Sequence, residues 1–152
     1  MTHPNGTIGE TRLVNYAKEH GFGGADRLTK TGEHDRGDVS LCPGVMAEVK
    51  HVKVAGRHGP ATELLAGWMS QTRIEQANGD WSVSFLVVKR EGTNDVGRWF
   101  AYIDAAGLAR LVVDPEEDQE PHLKSIALRM PVCLPVANML ELLRANGWGD
   151  PL

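Results

Sequence analysis

Cysteine is scarce in this chain: Cys42 and Cys133 are the only two among 152 residues. Two thiols cannot build a multi-bridge framework, which excludes a disulfide-stapled scaffold and makes a reducing cytoplasm the expected location, with both thiols buried. Long apolar runs are missing as well. The longest, Met130 to Ala137, carries two prolines, whereas a membrane span needs roughly 20 apolar residues, so no membrane partner is expected. Residues 1–15 have neither a basic start nor an apolar core, so no secretory leader is expected. There is no internal repeat, and no His-x3-His or Cys-x2-Cys pair, which argues against a zinc site. Gly21-Phe22-Gly23-Gly24 lacks the Lys and Ser/Thr of a phosphate-binding loop and reads as a helix stop. Few side chains are aromatic, and Trp99 and Trp148 are expected in packing rather than base stacking.

What is present is the composition of an ordinary globular domain, 41% hydrophobic and 24% charged, which excludes a disordered or fibrous chain. The length suits a single domain spanning residues 1–152. A net charge of −4 argues at first against a nucleic-acid partner. The distribution reverses that reading. Asp114, Glu116, Glu117, Asp118 and Glu120 are five acids in seven residues, and without them the chain is slightly basic. From Lys50 to Thr62 no acid occurs, while Lys50, His51, Lys53, Arg57 and His58 fall there. Local rather than net charge sets the contact field for phosphates.

Periodicity and turn residues predict a helix from about Ile8 to His20, an extended piece over Ala25–Thr29, and a polar loop over Thr31–Gly37. Two strands, Asp38–Leu41 and Val45–Val54, then flank Cys42-Pro43-Gly44 as a hairpin. A basic loop covers Gly56–Pro60, and a helix runs over Ala61–Ala77. A central strand is expected over Trp81–Lys89, another over Trp99–Ile103, and a short helix over Ala105–Val113. After the acidic loop come a strand over Ser125–Val132 and a closing helix over Val136–Asn146. This order is that of a mixed α/β (α+β) domain.

Five positions carry the chemistry. On a helix, Glu10 shares a stripe with Leu13, Val14 and Ala17, where an unpaired charge is costly. Thr7-Ile8-Gly9-Glu10 also fits a capping box, which gives Glu10 a structural alternative. Glu48 and Lys50 are two apart on a strand and share one face. A three-residue loop, Cys42–Gly44, sets Asp38 opposite Glu48, an arrangement that repels unless a cation sits between the acids. Mg²⁺ takes one or two carboxylates, with water and phosphate completing its shell. The alternative is that Asp38 follows a turn and Glu48–Lys50 is a surface pair. Gln71, with Leu64 and Trp68 at helical spacing, is expected on the buried side of its helix, where an amide needs partners of its own.

Taken in order, Glu10, Gly37-Asp38-Val39, Glu48-Val49-Lys50 and Trp68-Met69-Ser70-Gln71 resemble the PD-(D/E)XK nuclease superfamily, and within it the small Holliday-junction resolvases of archaea and phages. The resemblance covers about residues 7–90; residues 91–152 are expected to complete the sheet and add the closing helix. Gly37 stands where the family's name-giving proline would be. The resemblance implies a restriction-endonuclease-like mixed sheet flanked by helices, and a Mg²⁺-dependent DNA endonuclease in which Mn²⁺ can substitute. It implies Asp38 and Glu48 as metal ligands, Lys50 as the group acting on the attacking water or the phosphate, and Glu10 as holder of a water or a second metal. Gln71 would orient Lys50 or the phosphate. Lys30, His34 and Arg36 before the site, and His51, Lys53, Arg57 and His58 after it, are candidate phosphate grips. Cutting a four-way junction on symmetric strands implies a homodimer, for which Val136, Met139, Leu140 and Leu143 are a candidate surface. The rivals are a nuclease of the same fold acting on other DNA, restriction-type or directed to single strands or ends, and a catalytically idle DNA-binding module.

Overall fold

The computed structural model describes residues 4–30, 32–53, 58–112 and 129–152. In chain order these form α1 (Pro4–Lys18), β1 (Asp26–Arg27), β2 (Val39–Cys42), β3 (Val45–Lys50), α2 (Thr62–Gly79), β4 (Val83–Val88), β5 (Phe100–Asp104), α3 (Ala105–Val112), β6 (Pro131–Pro135) and α4 (Val136–Ala145). The six strands make one sheet in sequence order. Every neighbouring pair is antiparallel except β3–β4, which is parallel because α2 carries the chain back across one face of the sheet. The mixed sheet flanked by helices that the element order implied is therefore present. Its parallel pair lies in the middle, and β4 (VSFLVV) has the nearly continuous apolar run of a strand covered on both sides. The edges are blunted: β1 has two residues, and β6 begins and ends with proline.

One face of the sheet, with Val39, Leu41, Val45, Ala47, Val49, Phe85, Val87, Ala101 and Ile103, packs on α1, Phe22, Trp99 and α4. The other face is smaller, with Leu86, Val88 and Tyr102 against Met69 of α2. Among the described residues no helix is long and apolar enough to cross a membrane.

Several expectations change. The helix α1 starts at Pro4, so Thr7 and Glu10 lie in its interior and the capping-box reading of Glu10 fails. The last strand lies at Pro131–Pro135 instead of Ser125–Val132, a shift tolerated because missing proline N–H groups matter least on an edge. Residues 125–128, the acidic segment 114–120 and Val54 lie outside the described residues. Val136, Met139, Leu140 and Leu143 are all in the core, which removes them as a dimer surface. On α2 the inward positions are Met69, Thr72 and Glu75, whereas Leu64 is exposed and Gln71 only half-buried. Cys42 is half-buried and Cys133 is exposed, not both buried, because Cys133 sits on edge strand β6.

The hairpin reaches the expected register by another route. Val39 pairs with Ala47 and Ser40 with Met46, and then the register shifts to Cys42↔Val45. The loop is the two residues Pro43-Gly44, with Gly44 at φ +91°. A bulge at Leu41 absorbs the residue that a three-residue loop would have used. Continued by one residue, the Val39↔Ala47 register sets Asp38 across from Glu48.

Gly37, immediately before Asp38, has φ +105°. A proline ring holds φ near −65°, so the departure from the name-giving proline has a conformational reason. A Cβ on Gly37 would also lie 2.3 Å from the Met46 sulfur. Gly37→Ala is therefore expected to lower stability by about 1–3 kcal/mol, measured by urea or thermal unfolding. Unchanged stability would show that the loop before Asp38 has no need of a left-handed residue.

Candidate active site

Strand alternation divides β3 between two environments. Val45, Ala47 and Val49 enter the α1–α4 core, while Glu48 and Lys50 face α2. Asp38 is held at the start of β2 by its backbone, its N–H donating to the Ala47 carbonyl and its own carbonyl accepting from Leu28 N–H. Its carboxylate is fixed too: Oδ2 accepts from the Val49 N–H at 2.9 Å. Glu10, Asp38, Glu48 and Glu75 are only 4%, 3%, 2% and 2% exposed, so four carboxyl groups are taken out of water in one region of a small domain. Such a concentration is unfavourable for the fold by itself and needs compensation.

Part of the compensation is a closed ring of four side chains. Lys50 Nζ lies 3.3 Å from Glu48 Oε1 and donates to Gln71 Oε1 at 3.2 Å. Gln71 Nε2 donates to Glu75 Oε1 at 2.9 Å, and the Glu75 carboxyl meets that of Glu48. Two carboxyls in contact need a proton between them, and the environment supplies the condition for it. Burial, with the Glu75 hydrogen bond and the charge of Asp38, pushes Glu48 far above the carboxylate range despite Lys50. Burial also raises Glu75; hydrogen bonds from Glu48 and Gln71 hold it back, and Asp35 and Asp38 add to the rise. Apart from this contact between the two carboxyls, neither Glu48 Oε2 nor Glu75 Oε2 has a hydrogen-bond partner among the described residues.

The remaining compensation comes from the β1 edge. Arg27 Nε donates to Glu10 Oε2 at 2.9 Å. Lys30 pairs with Asp38 Oδ1 and lies 3.7 Å from Asp35 Oδ2. Burial and then the charge of Asp38 raise Glu10, while Arg27 and Lys30 pull it down. Burial alone would lower Lys30, but the hydrogen bond and charge of Asp38, with Asp35 and Glu48 behind them, hold its ammonium well above the ordinary lysine range.

Of the residues singled out from sequence, Glu10, Asp38, Glu48, Lys50 and Gln71 come together, with Asp38 acting electrostatically on both Glu10 and Glu48. Lys30 belongs to the same cluster and sits on a carboxylate. His34 and Arg36 are exposed on the segment leading to Asp38, and Lys53 and His58 are exposed beyond β3. His51 is half-buried, its ring 5.8 Å from that of Trp99 and its Cβ hard against Gly9 of α1, which does not suit a phosphate grip. Arg57 lies outside the described residues. Glu75 and Arg27 were missed. Glu75 stands four residues after Gln71 and seven after Trp68, so the argument that picked out Glu10 as an acid on an inward stripe applies to it equally. Arg27 had no local signal, because its partner is on another element.

Among the described residues, no three His, Cys, Asp or Glu side chains form a ready-made metal cage. Mg²⁺ does not require one, since one or two carboxylates suffice when water and phosphate complete the shell. The donor set fits that demand: Asp38 Oδ1 is paired with the Lys30 ammonium, and the buried Glu48 carboxyl has no partner for Oε2 beyond its contact with Glu75 among the described residues. Comparison of the chain with family models, with curated proteins and with solved structures returns no match.

Proposed function

We propose that the chain is a Mg²⁺-dependent endonuclease that hydrolyses DNA phosphodiesters, acting on branched DNA of the Holliday-junction type as a homodimer. The observation that carries this reading is the hairpin: Asp38, immediately before β2, stands across from Glu48 of β3 when the Val39↔Ala47 register is continued, with Lys50 two residues further on and bonded to Gln71. Asp38 and Glu48 would hold the metal. When bound, Mg²⁺ lowers the pKa of water and neutralises charge on the scissile phosphate.

The protein's own groups supply the rest. Lys50, between Glu48 and the Gln71 carbonyl oxygen, would stabilise charge developing on the phosphate. Gln71 positions Lys50 and is itself fixed by Glu75. Glu10, ion-paired with Arg27, shapes the field at Asp38. Exposed His34, Arg36, Lys53 and His58, together with Arg57, supply the phosphate contacts that set register on the duplex.

The test is cleavage of a labelled four-way junction beside matched linear duplex and single strand, in Mg²⁺ or EDTA, by wild type and Asp38→Ala. Symmetric, metal-dependent nicking of the junction that disappears in the variant is the expected result. Equal cutting of the linear duplex would keep the nuclease and remove the junction preference. DNA binding without cutting in any divalent metal would replace the enzyme by an idle binding module.

A further inference from the structure

We propose that Lys30 is the resident counter-ion of the site, seated on the Asp38 oxygen that a divalent metal must take, so that metal binding requires its displacement. This rests on the metal-site reading above and adds a residue that competes for the site.

The two oxygens of Asp38 have different fates. Oδ2 is committed to the Val49 backbone N–H, a bond inside the sheet that cannot be given up without loosening the hairpin. Oδ1 has no backbone donor in the described structure and is the oxygen more open to a cation, and the Lys30 ammonium is on it. A metal and an ammonium on the same carboxylate oxygen would lie within about 4 Å of each other and repel, so the two compete for Oδ1. Lys30 is built to leave. It follows the two-residue edge strand β1, and its side chain is 46% exposed against 4% for Asp38. Its stem can swing the ammonium into water while Asp38 stays in place. Asp35 Oδ2, 3.7 Å away and half-buried on the rim, is a second place for the ammonium to rest. In the absence of metal the pairing prevents a buried carboxylate from standing without a cation. The same pairing lowers apparent metal affinity by the fraction of time that Lys30 occupies Oδ1.

The experiment is Mn²⁺ binding to the full chain without DNA, by calorimetry and by the electron paramagnetic resonance signal of free Mn²⁺, for wild type, Lys30→Met and Lys30→Arg. Lys30→Met should bind Mn²⁺ about tenfold tighter than wild type, while Lys30→Arg, which keeps the cation, should stay within roughly threefold. In EDTA, Lys30→Met should melt below wild type, and Mn²⁺ should raise its melting temperature more than it raises that of wild type. Lys30→Gln serves the same comparison if the Met variant does not fold in EDTA. Measurable Mn²⁺ binding of equal or weaker affinity in Lys30→Met would overturn the competition and leave the metal site standing. No Mn²⁺ binding to any of the variants at millimolar metal would overturn the metal site, and the inference with it.

Discussion

Glu48→Gln is expected to make the metal-free protein more stable and, in the same molecule, to abolish cleavage. The stability gain follows from burial. Glu48 is 2% exposed, and the fold raises its pKa above the reference value of 4.5 through desolvation first and then through Glu75 and Asp38. A carboxyl raised in the folded state contributes stability below its unfolded pKa. That contribution is lost as pH climbs from about 4.5 towards the folded value, because the unfolded chain releases its proton first. Near neutrality the wild type is therefore folding against this group. Gln has the same shape, needs no proton, and its amide can donate to the Glu75 carboxylate where the shared proton was. We expect a gain of about 1–2 kcal/mol at pH 7, or roughly 2–8 °C in melting temperature for a domain of this size. The gap between variant and wild type should be small near pH 4.5 and widen towards pH 8, which melting curves in EDTA across that range would show. The functional half follows from chemistry: an amide oxygen is a poor substitute for a carboxylate as a Mg²⁺ ligand. A variant less stable than wild type at every pH would mean that Glu48 is compensated better than its surroundings indicate. A variant that cuts DNA normally would remove it from the metal site.

Lys50→Met should reduce the cleavage rate by about 10²–10³-fold while the protein remains folded and still binds DNA. The size of the effect comes from position: a fixed cation beside the phosphate stabilises charge that appears only in the transition state. The fold is expected to survive because Lys50 is at the end of β3, is partly exposed, and can be replaced by an unbranched side chain that keeps its packing beside the Trp68 ring. Single-turnover rates at saturating enzyme separate chemistry from binding, and a gel-shift titration reports the latter. Near-normal single-turnover rates would sink the role of Lys50. A large loss of binding with unchanged chemistry would move it to the phosphate grips. The ring predicts a graded partner effect, since Gln71→Ala removes only the group that positions Lys50 and should slow cleavage less than Lys50→Met does.

The strands around the site were legible because their signals are local. A period of two sends Glu48 and Lys50 to one side and Ala47 and Val49 to the other whatever surrounds them. The Asp38–Glu48 opposition followed from counting along a hairpin, and it holds because a shorter turn and a bulge at Leu41 offset each other. That compensation was not visible beforehand, since Pro43-Gly44 suits a two-residue turn but nothing local marks Leu41 as the bulge. Helix faces were less legible. On α2 the marks of an inward face were spread over Leu64, Leu65, Trp68 and Met69, and a shift of one residue turns a helix by about 100°. Packing of Met69 on Leu86, Val88 and Tyr102 chose the rotation, and it brought Glu75 inside.

Element types and their order, the apolar centre at β4, and the shared face of Glu48 and Lys50 were determined by the sequence alone, because each depends on residues within a few positions of one another. Tertiary structure alone decided that Gln71 and Glu75 close a ring with Lys50 and Glu48, that Arg27 and Lys30 sit on Glu10 and Asp38, and that the apolar face of α4 is used inside the fold. These contacts join residues on different elements. Their existence depends on how far each helix is rotated and where an edge strand docks, and side-chain packing over the whole sheet sets both.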